Sequence, residues 1–382
     1  MRILHLISDH QVIERTLGVY EKAFPGCNEI LVFNNSDKFK RLKQDYTGKI
    51  VNWRNLNYVG QNYDFKEITH VISHYMSMDK IEFIKFIPKN IHVCWEIYGQ
   101  DLYGQFLVPL GYQMYYTKPV NYEKHSFIKK YFKNLYKILL IVLKGAKYQF
   151  DFQKKAQFEY ISGRINSIQY CCGYDAKFVE NFAGRSIPSY EIFNYSLDEV
   201  LGELKEHDFF DGSDFLIGNS ASITNNHLYT LNFLKEIGIN KESKLIIPLS
   251  YGGTKKYIEK VSSEYIKQFP NQVVFLRDYI PLNEYNKMFL NFKSVILVAW
   301  RQESQGTAIL AFYLGIKVFM SERSPLYKWF LDCGFIVYNI ENINGNEFNE
   351  PLTKEEKEHN RLLVLQRYNN ERILEVLKQN II

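Results

Sequence analysis

Little in this chain points to a covalent or metal-built framework. Five of the 382 residues are cysteine, an odd number without paired metal spacing, which argues against a disulfide scaffold or a zinc site. The adjacent pair Cys171-Cys172 reads as strand residues rather than ligands. No apolar run approaches the roughly 20 residues that a membrane-spanning helix needs; Ile138–Leu143 stops after six. Charge of one sign is scarce: 47 Lys and Arg against 42 Asp and Glu leave +5. No basic block has the density of a nucleic-acid stripe, so an anionic partner other than nucleic acid is expected. The segment Met1–Asp9 reads as a short strand and polar turn without the basic flank and longer apolar stretch of a signal peptide, so a cytoplasmic location is expected. No Asp-x-Asp pair falls in a strand-end loop, so neither a metal nor another cofactor is expected.

What is present is core and aromatic surface. Hydrophobic residues make up 46% and charged residues 23%, with 29 Tyr and 28 Phe, the balance of a folded protein rather than a disordered one. The length favours two domains. Short apolar runs alternate with helical segments, the pattern of parallel α/β sheets. They lie at Ile3–Ile7, Glu29–Phe33, Thr69–Ser73, Ile91–Trp95 and Ser167–Tyr170. A second set follows at Phe215–Ile217, Lys244–Pro248, Gln272–Leu276, Ser294–Val298 and Lys317–Met320. The expected division is 1–205, 206–355 and a closing C-terminal helix over 356–382, with Ser186–Asp214 as the connection. This is two Rossmann-like doubly wound domains facing a central cleft, where ligands bind at strand carboxyl ends.

Asn121–Phe152 departs from that pattern. Seven lysines interleave with aromatic and aliphatic residues, which suits a basic amphipathic helix on an anionic membrane surface. A helix packed on its own sheet with a solvated lysine face remains the alternative.

Two strand-to-helix loops carry phosphate-binding chemistry. Gly218, Asn219, Ser220, Ser222, Thr224, Asn225, Asn226 and His227 follow the strand ending at Ile217 and open a helix. Unpaired amides and the positive end of the helix dipole are a physical means of holding phosphate. An ordinary capped turn would have the same composition. Val298–Thr307 repeats the arrangement with Arg301, Gln305, Gly306 and Thr307, where a guanidinium and amides converge. Between them, Tyr251 ends a strand and is able to stack on a base or simply pack. Ile280 lies in a further loop, Asp278–Tyr285, that connects a strand to a helix.

Gly218-Asn219-Ser220 with Asn225-Asn226-His227 resembles the Gly-Asn-Ser…Asn-(Asn/Glu)-His signature of the bacterial 4-acetamido-4,6-dideoxygalactosyl (Fuc4NAc) transferases of surface-polysaccharide assembly. Arg301 to Gly306, then Gly315–Phe319 and Arg323-Ser-Pro325, resemble the Arg-Gln-Gln-Gly-x-Gly element and its sequel there, although Glu303-Ser304 displaces the second Gln to Gln305. His92–Tyr103 resembles His-x-x-Trp-x-x-Trp-Gly-x-Asp-Leu-Tyr, with Tyr98 in place of the second Trp. The resemblance implies a GT-B glycosyltransferase using a dTDP-sugar and an undecaprenyl-diphosphate-linked glycan at the inner face of the bacterial inner membrane. It implies acceptor contact by Trp95 and Tyr98, and contact with the nucleotide base by backbone groups of the loop at Ile280. An acceptor hydroxyl needs a base; Asp101, with a helix N-cap as its alternative role, and His74 are the candidates. The competing readings are a two-lobed cytoplasmic sugar-binding protein without catalysis and a GT-B enzyme using a UDP-sugar.

Overall fold

The computed structural model describes residues 1–10, 12–36, 38–44, 46–116, 151–193 and 196–381. The expected basic helix over 121–152 lies almost wholly outside them.

Two parallel sheets form the frame. The first contains β1 (Arg2–Ser8), β2 (Asn28–Phe33), β3 (Ile50–Val51), β4 (Ile68–His74), β5 (His92–Glu96), β6 (Ser167–Tyr170) and β7 (Ser189–Glu191), in the order 3-2-1-4-5-6-7. The second contains β8 (Asp214–Ile217), β9 (Leu245–Pro248), β10 (Val273–Leu276), β11 (Phe292–Leu297), β12 (Lys317–Met320) and β13 (Tyr338–Asn339), in the order 10-9-8-11-12-13. Strand order reverses between β1 and β4 and between β8 and β11, the two places where loops diverge and leave room for ligand.

Central strands read as apolar runs because both faces are covered. Leu4, Leu6, Val71, Val93 and Trp95 enter the core on one face, while Ile3, Ile72 and Cys94 enter the core on the other. That second core continues through Leu216, Val295, Leu310 and Leu377, so apolar packing joins the two domains.

The sequence reading missed three short strands. β3, β7 and β13 are edge strands of two or three residues, too short for alternation to register. β7 lies within Ser186–Asp214, expected to be connection only. The expected single C-terminal helix is instead two, Lys354–Tyr368 and Asn370–Asn380, because Asn369 is extended and its side chain caps Arg372 N. The second helix returns to the first domain, packing on helix Ile13–Ala23. Arg367 pairs with Glu191 of β7 at 2.6 Å. No described helix is long and apolar enough to cross a membrane.

Candidate active site at the domain seam

The carboxyl ends of β8 and β11 build one wall. Gly218 has φ +69°, and a Cβ there would lie 2.8 Å from Asn225 Oδ1 and 3.1 Å from His227 Nε2. Glycine is therefore required for both dihedral and space. The loop then ties itself together: Asn219 N donates to Asn225 Oδ1 at 3.0 Å, and Asn225 Nδ2 donates to Ser220 Oγ at 3.0 Å. The Ser222 and Thr224 hydroxyls lie 2.7 Å apart. Asn226, at φ +49°, donates to Val298 O at 3.1 Å and accepts from Tyr116 N at 2.9 Å. The β9 loop lies over this one, since Ala221 N donates to Tyr251 O at 2.8 Å.

On the β11 loop, Arg301 Nη2 pairs with Glu303 Oε2 at 3.0 Å, and Thr224 Oγ1 donates to the same oxygen at 2.6 Å. The two side chains of the pair are 12% and 10% exposed, so neither is fully hydrated. Ser304, at φ +69°, turns the chain into helix Gln305–Tyr313, whose start has no side-chain cap. Uncapped amides at Gly306 and Thr307 supply partial positive charge. Asn219 Oδ1, Arg301 Nε and Ser304 Oγ are buried without a hydrogen-bond partner among the described residues. Buried polar atoms are ordinarily satisfied; Arg301 Nε and Ser304 Oγ have hydrogen bonds left to donate to an anion, whereas Asn219 Oδ1 can only accept, as from a hydroxyl.

The first domain supplies the opposing wall, in which Asp101, His74 and Glu96 are buried. Asp101 is fully buried; its Oδ2 accepts from Trp95 Nε1 at 2.8 Å and Met76 N at 2.9 Å, its Oδ1 from Tyr98 N at 3.0 Å. Burial pushes its pKa up while these donors pull it down. A carboxylate so occupied fixes the β4 and β5 loops together. The expectation of Asp101 as a free base is corrected to a framework role, and the helix N-cap alternative is not seen, since its donors lie outside its own helix. His74 is likewise buried, in the series Asn28–His5–His74–Glu96. Asn28 Nδ2 donates to Glu21 and to Phe24 O, which fixes its Oδ1 as acceptor for His5 Nε2 at 3.0 Å. His5, neutral because burial lowers its pKa to about 3, then accepts through Nδ1 from His74 Nε2 at 2.8 Å. His74 Nδ1 lies 2.6 Å from Glu96 Oε2. No face of this series is open to an acceptor hydroxyl, so His74 as a base is corrected as well.

Other expected residues divide between seam and interior. Trp95 is fully buried, edge-on to Phe106 and Phe158, which makes it core rather than acceptor wall. Tyr98 is half-buried, with its hydroxyl 3.4 Å from that of Thr16. His227 is buried beneath Gly218 with Nδ1 3.1 Å from the Tyr257 hydroxyl, and burial lowers its pKa to about 4. Gln305 points into the interface and donates to Cys171 O at 2.8 Å, a bridge between domains instead of a donor contact. Tyr251 is 55% exposed, and Tyr279, beside the half-buried Ile280, is 81% exposed.

Several seam residues escaped the sequence reading. Glu303 anchors Arg301; Tyr112 reaches across to Trp300 O at 2.7 Å; Gly99, at φ +85°, approaches Gln302 and Arg301 so closely that a Cβ would lie 2.5 Å from Gln302 Oε1. Asp175, accepting from the Tyr103 hydroxyl at 2.5 Å, is pushed up to about 8 by burial. Among the described residues no group of three or more His, Cys, Asp or Glu is placed to hold a metal.

Two doubly wound domains meeting at their strand ends, with a C-terminal helix returning to the first, define a GT-B glycosyltransferase. Comparable folds are HepE of Anabaena in complex with UDP and glucose (10% identity, 100% of this chain and 99% of that one, TM-score 0.64), a glycosyltransferase from Rickettsia africae (11%, 98% and 96%, 0.59) and sucrose-phosphate synthase from Thermosynechococcus elongatus (11%, 99% and 98%, 0.58). Residues 154–355, just over half of the chain, match the 4-alpha-L-fucosyltransferase, glycosyl transferase group 56, model. The chain belongs to that family. No curated protein sequence matches it.

Proposed function

We propose that this protein transfers a 4-acetamido-4,6-dideoxyhexose, Fuc4NAc or a close relative, from a dTDP-sugar to an undecaprenyl-diphosphate-linked glycan. The carrying observation is the incompletely satisfied wall around Arg301, Thr224 and the open helix start at Gly306-Thr307. In the reaction the bond from the sugar's anomeric carbon to the diphosphate breaks, a bond to the acceptor oxygen forms, and the acceptor hydroxyl gives up its proton to the departing diphosphate or to water. Negative charge grows on the departing diphosphate. Arg301 and the helix-start amides would neutralise that charge, the electrostatic share of catalysis. Gly218–Asn226 flanks the sugar and diphosphate, while Tyr251 and Ile280 border the base.

The dTDP donor and lipid-linked acceptor rest on the likeness of Ile217–His227 and Arg301–Pro325 to the Fuc4NAc transferases. Incubating the purified protein with membranes and a panel of labelled dTDP- and UDP-sugars tests both. Label from a dTDP-deoxysugar in a lipid-linked product is expected; transfer from UDP-sugars alone would overturn the donor. Sugar binding without any nucleotide affinity would instead favour a non-catalytic binding protein. Metal-free transfer is part of the proposal, so EDTA should leave the rate unchanged. Docking at the cytoplasmic face of the inner membrane is assigned to residues 121–152. Vesicle flotation that survives replacement of Lys129, Lys130, Lys133 and Lys137 by Glu would remove that assignment.

A further inference from the structure

Four non-glycine residues among those described have positive φ: Tyr75 (63°), Asn226 (49°), Asn271 (71°) and Ser304 (69°). Asn271 belongs to the turn that leads into β10. The other three lie on the strand-end loops of the seam. Asparagine visits this region readily, whereas a bulky side chain there is a true outlier that persists only when its surroundings over-determine it.

Tyr75 is over-determined from every side. Its N–H donates to Glu96 O at 3.2 Å; Lys80 Nζ donates to His74 O and, at 3.1 Å, to Tyr75 O; Met76 N is held by Asp101 at 2.9 Å; and Gln105 Nε2 donates to Met76 O at 2.6 Å. Lys80 is fully buried to make this grip, and burial lowers its pKa to about 7. Such a grip on one turn serves more than packing. The Tyr75 ring is half-buried and stacks on no described aromatic residue, and its hydroxyl has no hydrogen-bond partner among the described residues. Asp101 ties the Tyr75-Met76 turn to Tyr98, and the next residue, Gly99, lies against Arg301 across the seam, where a Cβ would be 3.4 Å from Arg301 Nη1. Burial, with the charge of Asp101, raises the pKa of the Tyr75 hydroxyl to about 12, so it remains a proton-bearing donor at neutral pH.

We propose that the strained turn at the end of β4 presents the Tyr75 hydroxyl as a hydrogen-bond donor to the donor nucleotide's diphosphate, sharing that anion with Arg301 from the opposite domain. The role rests on the glycosyltransferase reading above. It makes nucleotide binding a two-domain event, with Tyr75 as a donor-positioning residue and Lys80 and Asp101 as its supports.

Calorimetric titration with dTDP and with UDP, alongside thermal melting, tests it. Tyr75→Phe keeps ring and turn, and loss of one hydrogen bond to an anion should weaken nucleotide binding about tenfold or more. Tyr75→Gly and Tyr75→Ala both remove the ring, but only glycine adopts φ near +63° without strain. The glycine variant should therefore melt above the alanine variant. A Phe variant binding within twofold of the wild type, or an alanine variant melting at or above the glycine variant, overturns the proposal. Wild-type protein binding neither nucleotide overturns it together with the transferase reading, whereas wild-type binding unchanged in Tyr75→Phe overturns this role alone.

Discussion

The two walls of the seam are made of the same materials used in opposite ways. Both consist of strand-end loops with glycine at positive φ, short polar side chains and at least one buried charge. On the first domain, Asp101 receives three donors, and the buried Asn28–His5–His74–Glu96 series pairs each member with the next and leaves Glu96 Oε1 over. On the second, Arg301 has one carboxylate partner while its Nε, Ser304 Oγ and Asn219 Oδ1 lack any among the described residues. A saturated polar group holds shape, because removing a partner strands the others. An unsaturated one has interaction energy left for a ligand. The first wall is thus mainly an instrument for aiming loops, the second the surface proposed to receive the anion.

The sharpest break of this contrast comes from Arg301→Met. If Arg301 neutralises the leaving diphosphate, turnover should fall by about 10²–10³-fold, the usual loss for one charge-stabilising donor. Part of any change would come from Glu303, left without its cation in a poorly hydrated place. Arg301→Met/Glu303→Gln separates the two, because stability should recover in the double variant while nucleotide binding does not. Recovery of both would move Arg301 to the structural side.

Asp101→Asn probes the saturated wall. An amide cannot accept from Trp95 Nε1, Met76 N and Tyr98 N together, because one of its two positions is now a donor. The expected loss is about 2 kcal/mol of unfolding free energy by urea titration, with activity per folded molecule reduced less than tenfold. A general base would behave in the reverse manner, with turnover collapsing at unchanged stability.

The contrast between walls was only half legible in the sequence. Apolar runs located the ten longer strands because buried parallel strands need them, and the polar loops after Ile217 and Val298 stood out because strand ends rarely carry so many small hydrogen-bonding residues without cause. Degree of satisfaction left no such trace. Asp101 looked like a base because its three donors come from Met76, Trp95 and Tyr98, which only the fold assembles. Gln305 looked like a donor contact, but the left-handed Ser304 sets the helix phase so that Gln305 turns inward to Cys171. Tyr75 gave no signal, since nothing in a tyrosine announces a positive φ.

Lys80 offers a subtler test of the aimed wall, through pH. Burial lowers its pKa from the ordinary 10.5 to about 7, and Asp79, Asp101 and Glu96 are the acidic groups in its field. Between these values the unfolded chain binds the extra proton and the folded one does not, so stability rises with pH from about 7 toward 10.5. One proton corresponds to a slope of roughly 1 kcal/mol per pH unit. Lys80→Met should flatten the profile by that amount between pH 8 and 10, measured by denaturant titration. An unchanged slope would mean that Lys80 remains charged in the fold.

The smallest expected effect lies at the outer edge of the receiving wall. Tyr251 is 55% exposed and its ring packs on no described aromatic residue, so Tyr251→Ala should change stability by no more than about 0.5 kcal/mol. If the ring borders the nucleotide base, one stacked face is worth about 1 kcal/mol at the low end for base–aromatic contacts, or roughly fivefold in affinity. The loss should be similar for dTDP and UDP, because stacking discriminates poorly between pyrimidines, and absent for inorganic pyrophosphate, which has no base. A loss that included pyrophosphate would place Tyr251 on the diphosphate instead. It would then extend the unsaturated wall from Arg301 across to the β9 loop, which already overlies Ala221.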